Sequence, residues 1–297
     1  MEAIIVIVGF LGVGKTTLLQ RLAQSYEEAN WSPQIIINDY QNAVLDAQRF
    51  RSILDSSRIQ ALSGSCICCS GLTELRAQMN SIPPRDKGIT FIEANGTSDA
   101  VALAEFLGVG IKDQFSPPVQ LSIVDVRYWQ RRGQHNELEA NQVQVSSLIL
   151  LNHTETVDQA RIDQVKKDLN YLNPSAKIEY MSDFAEFEVP NLAKSDNTPG
   201  KMEHLTSHWS SCSVDLPDQV SSAGLSKVLD DLPSGILRVK GCTRLDEDEG
   251  YSYFEKIPSG EAIVRPYTGK LVSGPKLLVV GPGSDPAVLQ GLVGRHL

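Results

Sequence analysis

Ile5-Val6-Ile7-Val8-Gly9-Phe10-Leu11-Gly12-Val13-Gly14-Lys15-Thr16-Thr17-Leu18-Leu19 decides the fold. The apolar run before Gly9 predicts a buried strand over 3–8. From Lys15 onward, Leu18, Leu19, Leu22, Ala23 and Tyr26 recur at helical spacing and predict a helix with one apolar face. Three glycines between the two let the backbone curl so that successive N–H groups converge on an anion. In this strand-loop-helix setting the pattern Gly-x-x-x-x-Gly-Lys-Thr is specific for the phosphates of a nucleoside triphosphate. Gly9, Gly12, Val13, Gly14 and Thr17 are candidate nucleotide-binding residues, Lys15 neutralises β- and γ-phosphate charge, and the Thr16 hydroxyl ligates Mg2+.

Outward from this loop, strand patterns at 34–38, 89–93, 119–124, 147–151 and 176–180 alternate with helical stretches. That order predicts an α/β P-loop domain with a mostly parallel sheet. Pro190, Asn191, Lys194, Asp196, Asn197, Pro199 and Gly200 have linker composition, so the expected division is a domain at 1–186, a linker at 187–205 and a second domain at 206–297. Strand patterns at 209–215, 235–241, 260–264 and 276–281, with a helix at 221–232, make the second domain a small α+β unit. Asp246-Glu247-Asp248-Glu249, ending at Gly250, reads as a solvated turn rather than a metal or partner site.

Bulk properties exclude several classes. No apolar run approaches the roughly 18 residues of a membrane span. The N-terminus lacks the basic region of a signal peptide, so the cytoplasm is the expected compartment. A formal net charge of -9 opposes long-range attraction to nucleic acid or to an anionic membrane.

Two further elements belong at the ends of later strands, where ligands of open α/β sheets bind. Glu93-Ala94-Asn95-Gly96 follows one of them: the Glu93 carboxylate can hold Mg2+ or its water shell, and the Gly96 N–H can meet a γ-phosphate. A helix-capping carboxylate is the simpler alternative. Asn152-His153-Thr154-Glu155 follows another, in the place of a guanine-reading Asn-Lys-x-Asp. Asn152 and Glu155 are the candidate base-reading residues. Glu155 keeps the acid on a longer arm, and His153 keeps a flat, partly cationic surface. Guanine is favoured, with an ATPase or kinase as the competing reading.

Of the five cysteines, three fall in Gly64-Ser65-Cys66-Ile67-Cys68-Cys69-Ser70-Gly71. Thiolates at this density can converge on one soft or borderline cation such as Zn2+ or Cu+, with the fourth position open. Redox chemistry and inert burial are the alternatives; consecutive Cys68 and Cys69 are too close for an unstrained bridge, whereas Cys66 and Cys69 can pair. Cys212 and Cys242 read as buried small apolar residues. His204 and His208 lie four apart after the linker, and solvation explains them better than an accessory metal site.

The Gly-Phe-Leu-Gly-x-Gly-Lys-Thr-Thr loop together with Cys-x-Cys-Cys resembles the CobW-type GTPases, metallochaperones in the same group as the urease and hydrogenase nickel-insertion GTPases. Asn38-Asp39-Tyr40-Gln41 with Asp46, Glu93-Ala94-Asn95-Gly96, Asn173-Pro174-x-Ala176 and Arg238-Val239-Lys240-Gly241 also fit that pattern. The resemblance implies slow GTP hydrolysis to GDP with Mg2+, a C-terminal domain at 206–297, Zn2+ at Cys66, Cys68 and Cys69, and delivery to a client metalloprotein. Asp39, Gln41, Asn42, His153 and Glu155 depart from it, which leaves room for a metal sensor with negligible turnover. No residue stands out as base for the hydrolytic water. Replacing Cys66, Cys68 and Cys69 together by serine is expected to abolish high-affinity Zn2+ binding in calorimetry; retained affinity would remove the thiols as ligands.

Overall fold

Five of the six residues of β1 (Ala3–Val8) are buried, and a strand covered on both faces sits naturally at the centre of a parallel sheet. The computed structural model describes residues 1–38, 47, 49–62, 71–107, 110–191, 211–236, 238–246, 249–256, 262–267, 274–280 and 284–297. Around β1 assemble β2 (Ser32–Asn38), β3 (Ile59–Leu62), β4 (Gly88–Glu93), β5 (Val119–Asp125), β6 (Leu148–Asn152) and β7 (Lys177–Tyr180). Their order is β3-β2-β4-β1-β5-β6-β7, and every pairing is parallel. The helices are α1 (Lys15–Glu28), α2 (Gly71–Ser81), α3 (Ala100–Leu107), α4 (Asn136–Gln144) and α5 (Gln159–Leu172).

Alternation along β1 divides the core. Ile4, Val6 and Val8 pack with Leu75, Met79, Leu103 and Leu107 of α2 and α3. On α1, Leu18, Leu19, Leu22, Ala23 and Tyr26 are buried, with the Tyr26 ring 5.4 Å from Phe91 on β4. Each aliphatic side chain so buried contributes roughly 2 kcal/mol. Register pairs Ile7 with Glu93, Val8 with Ser122 and Asp125 with Asn152, so the carboxyl ends of β1, β4, β5 and β6 share one edge. At the opposite end the Glu2 carboxylate accepts from the Arg85 backbone N–H at 2.7 Å and from its guanidinium at 2.6 Å. A Cβ on Gly88 would stand 2.4 Å from Glu2 Cδ, so a side chain there would displace the carboxylate that Arg85 holds.

The segment expected to be linker from 187 begins with structure. Glu186–Asn191 is a 3-10 segment in which Val189 is buried, the Glu186 carbonyl accepts from Tyr26 OH at 2.9 Å, and the Phe187 ring lies 5.1 Å from that of Tyr26. The remainder of that segment, with His204 and His208, lies outside the described residues. The chain divides into two compact units, Met1–Glu203 and His204–Leu297.

The second unit holds β8 (Ser211–Asp215), β9 (Gln219–Val220), β10 (Arg238–Leu245), β11 (Tyr251–Lys256), β12 (Ala262–Pro266) and β13 (Lys276–Val280), with α6 (Ser222–Asp230) and α7 (Pro286–His296). Its sheet runs β12-β11-β10-β13-β8 antiparallel, and β9 pairs parallel with β10. The acidic run therefore falls between two antiparallel strands, although Glu247 and Asp248 lie outside the described residues. Leu225, Val228 and Leu229 of α6 pack with Leu289 and Leu292 of α7 against Val239, Phe254 and Leu277. Cys212 and Cys242 are both buried, and burial pushes the Cys242 thiol up to about 12. Among the described residues no helix is long and apolar enough to cross a membrane.

Between β10 and β11, Glu255 accepts from Arg238 Nη2 at 2.6 Å and from Tyr253 OH at 3.0 Å. Burial alone would raise this carboxyl, but the Arg238 and Lys240 charges outweigh it and hold it at about 2, below its ordinary 4.5. A depressed folded-state value contributes stability above the unfolded value, lost as pH falls towards the folded one. Glu255→Gln is therefore expected to flatten the acid limb of the full chain's thermal stability between pH 4.5 and about 2; an unchanged acid limb would contradict the assignment.

Candidate functional site

Gly9, Gly12 and Gly14 adopt φ of 141°, 78° and 107°, which other residues rarely reach. Space forbids side chains as well: a Cβ on Gly9 would lie 2.6 Å from the Ile123 carbonyl oxygen, and one on Gly14 would lie 2.8 Å from Asn152 Nδ2. The loop is thus pressed against β5 on one side and the end of β6 on the other. Gly14 caps α1 without a side-chain bond, and no acidic residue occupies the first turn. That leaves the positive end of the helix dipole to an anion.

Lys15 Nζ is buried and donates to the carbonyls of Gly9 at 2.8 Å and Phe10 at 2.9 Å. Its ammonium is held within the loop by the backbone that it serves. The Thr16 hydroxyl donates to Glu93 Oε1 at 2.8 Å, joining residues 77 positions apart. Both side chains are buried. A hydroxyl and a carboxylate converging beside a phosphate loop form a hard-oxygen set, and they fit a small divalent cation such as Mg2+. Thr17, on the same turn, is exposed.

Gly96 meets the loop from β4. A Cβ there would stand 2.7 Å from the Leu11 backbone nitrogen. Gln142 of α4, itself buried, fixes the segment by donating from Nε2 to the carbonyls of Gly96 at 3.1 Å and Ser98 at 3.3 Å. Behind it Asn173 donates to the carbonyls of Val143 at 2.8 Å and Ser146 at 2.8 Å, satisfying the end of α4.

Asn152 Nδ2 donates to the Val13 carbonyl at 2.9 Å, tying the end of β6 to the phosphate loop. His153 follows in the left-handed region, φ 60°, with Nε2 4.0 Å from Asp125 Oδ2 and Nδ1 3.8 Å from Glu155 Oε1. Glu155 is largely exposed beside it. Asp125 is pinned by Arg127, whose Nε and Nη2 donate at 3.0 Å and 2.8 Å.

Gln142, Asp125, Arg127 and Met181, whose Cε lies 3.7 Å from a Cβ built on Gly14, escaped the sequence reading. None belongs to a motif; only Asp125, an acid closing a strand on the ligand edge, carried a signal. Residues 39–46 and Cys66, Cys68 and Cys69 lie outside the described residues. Among the described residues no group of three or more His, Cys, Asp and Glu is placed to hold a metal.

Residues 3–179 match the family model described as CobW/HypB/UreG, nucleotide-binding domain. Zinc-regulated GTPase metalloprotein activator 1 of Dictyostelium discoideum is 24% identical over 211 residues, which are 58% of this chain and 44% of that protein. The chain thus spans less than half the length of that relative. Zinc chaperone YjiA of Escherichia coli is 25% identical over 282 residues, 86% of each chain. Among solved structures, the Zn(II)-bound YjiA GTPase from E. coli aligns with a TM-score of 0.43 at 15% identity, covering 100% of this chain and 99% of that one.

Because Gly96 abuts the Leu11 backbone as well as its side chain, Gly96→Ala is expected to cost about 1–3 kcal/mol in denaturant unfolding and to weaken nucleotide binding. Wild-type values for both would show that the close approach is dispensable.

Proposed function

The chain belongs to the CobW/HypB/UreG family, and on that premise we propose that it is a GTP-binding and GTP-hydrolysing metallochaperone. In this reading its nucleotide state governs binding and transfer of a transition metal, with zinc as the favoured cargo. The observation that carries it is the convergence of Lys15, Thr16 and Glu93 on one loop in which Gly9 and Gly14 leave no room for side chains.

Gly9, Gly12, Val13, Gly14, Lys15, Thr16 and Thr17 hold the phosphates. Lys15 leaves its carbonyl partners for β- and γ-phosphate oxygens, and Thr16 with Glu93 holds Mg2+ directly or through its water. The chemistry that Mg2+ supplies there is charge neutralisation on the triphosphate. Gly96 offers its N–H to the γ-phosphate. Phosphoryl transfer needs positioning and charge neutralisation above all, so these groups carry most of a slow hydrolysis.

Asn152 and Glu155 read guanine, Asn152 from a position already fixed on Val13. Glu155, exposed and 3.8 Å from His153, swings to the base when nucleotide enters. Cys66, Cys68 and Cys69 hold Zn2+, and residues 206–297 form the CobW-type C-terminal domain. The zinc cargo is supported by the names of both curated relatives. A client metalloprotein receives the metal, and the cytoplasm is the working compartment.

Competition of GTP and ATP for the nucleotide-free full chain tests the base, with GTP expected to win; a preference for ATP overturns the assignment to guanine. Thr16→Ala and Glu93→Gln are each expected to lower Mg2+-dependent GTP turnover on the order of a hundredfold. Unchanged turnover in both variants would remove these residues from the catalytic site.

A further inference from the structure

Phe10, the second residue of the phosphate loop, is held by two side chains of a segment that no motif marks. The Arg132 guanidinium lies over its ring, Cζ 4.5 Å from the centroid, and the His135 imidazole stacks on it at 5.8 Å and 29°. Phe10 also presents one of the two carbonyls that hold Lys15. Any force on this ring is thereby transmitted to the backbone that sets the lysine.

Arg132 is itself fixed. Its Nε donates to Glu139 Oε1 at 3.0 Å, and the other carboxylate oxygen accepts the Gln130 backbone N–H at 3.0 Å. Side chains of the pair are only 7% and 3% exposed. Burial raises the Glu139 carboxyl, and Arg132 opposes that rise; burial, then the Arg132 charge, lowers His135. The arrangement is one cation and one stacked imidazole on an apolar ring.

Arg132 also reaches the other half of the site. Its Cζ is 5.6 Å from the Tyr128 ring, which carries Arg127 at 5.2 Å, and Arg127 pins Asp125 beside His153. The order Phe10, Arg132, Tyr128, Arg127, Asp125, His153 runs from the phosphate loop to the base-reading segment.

We propose that Arg132 is a positioning residue for nucleotide binding, acting through the Phe10 ring to set the phosphate loop and to link it to the base-reading segment; this rests on the nucleotide-binding reading above. The guanidinium serves the Glu139 carboxylate and the face of the Phe10 ring at once. A desolvated cation over an aromatic ring is worth about tenfold in an equilibrium.

The test uses the full chain with fluorescent GDP and non-hydrolysable GTP and ATP analogues. Arg132→Met is combined with Glu139→Gln, so that no unpaired carboxylate stays buried. The double variant is expected to keep the wild-type circular dichroism and to lose about tenfold in affinity. Arg132→Lys, which keeps the charge, is expected to recover part of that loss. Phe10→Leu alone is expected to show the same loss, and adding the Arg132 and Glu139 changes to it should cost little more, because contacting residues are coupled.

Wild-type affinity in Phe10→Leu overturns the proposal, even if the double variant does not fold. So does a folded double variant with wild-type affinity, or losses that simply multiply. A wild-type chain that prefers the ATP analogue overturns only the guanine assignment, and the clamp is then read on that nucleotide. A wild-type chain that binds none of the three overturns both.

Discussion

The hydrogen bond from Thr16 Oγ1 to Glu93 Oε1 is the constraint on which the site depends. It ties the first turn of α1 to the end of β4, across the loop that leaves β1. A buried hydroxyl donating to a carboxylate is charge-assisted and worth about 1.5–3 kcal/mol. Its energetic weight is smaller than its geometric one: with α1 anchored at Thr16 and the loop's glycines pressed against Ile123 and Asn152, the phosphate loop has one course to follow.

Parts of the fold with local grammar were legible in the sequence. The glycines, Lys15 and Thr16 announce a phosphate loop because each residue type answers a local demand on backbone angle, charge or hydroxyl. β3 was not legible, since Ile59-Gln60-Ala61-Leu62 is short and weakly apolar; it is a strand because β2 offers it an edge. α7 begins with a readable signal, Asp285 capping before Pro286, but Gly291 and Gly294 lower its helix propensity. It forms where α6 approaches so closely that a Cβ on Gly224 would stand 2.6 Å from the His296 carbonyl oxygen.

The site divides in the same way. Asn152 could be picked from its place after a strand, but its bond to Val13 spans 139 positions. Gln142, Met181 and Arg132 act through contacts that the chain creates only when folded. Neither a glutamine inside a helix nor an arginine in a loop carries a local pattern that separates it from a solvated residue.

The thiol segment enters the account through the elements on either side of it, β3 and α2. The chain leaves β3 at Leu62, which pairs with Asn38 at the end of β2, and Ile37 on β2 pairs with Glu93. The carboxyl ends of β2, β3 and β4 therefore lie together on the edge where the phosphate loop opens. A segment that departs from Leu62 and returns at Gly71 starts beside the groups proposed to sense the γ-phosphate. If nucleotide state reaches Cys66, Cys68 and Cys69 through that edge, then the metal and the nucleotide must alter each other's binding by the same factor. The direct measurement is calorimetric titration of Zn2+ into the full chain loaded with GDP and, separately, with a non-hydrolysable GTP analogue: different affinities are expected, and equal affinities would contradict nucleotide control of the metal site.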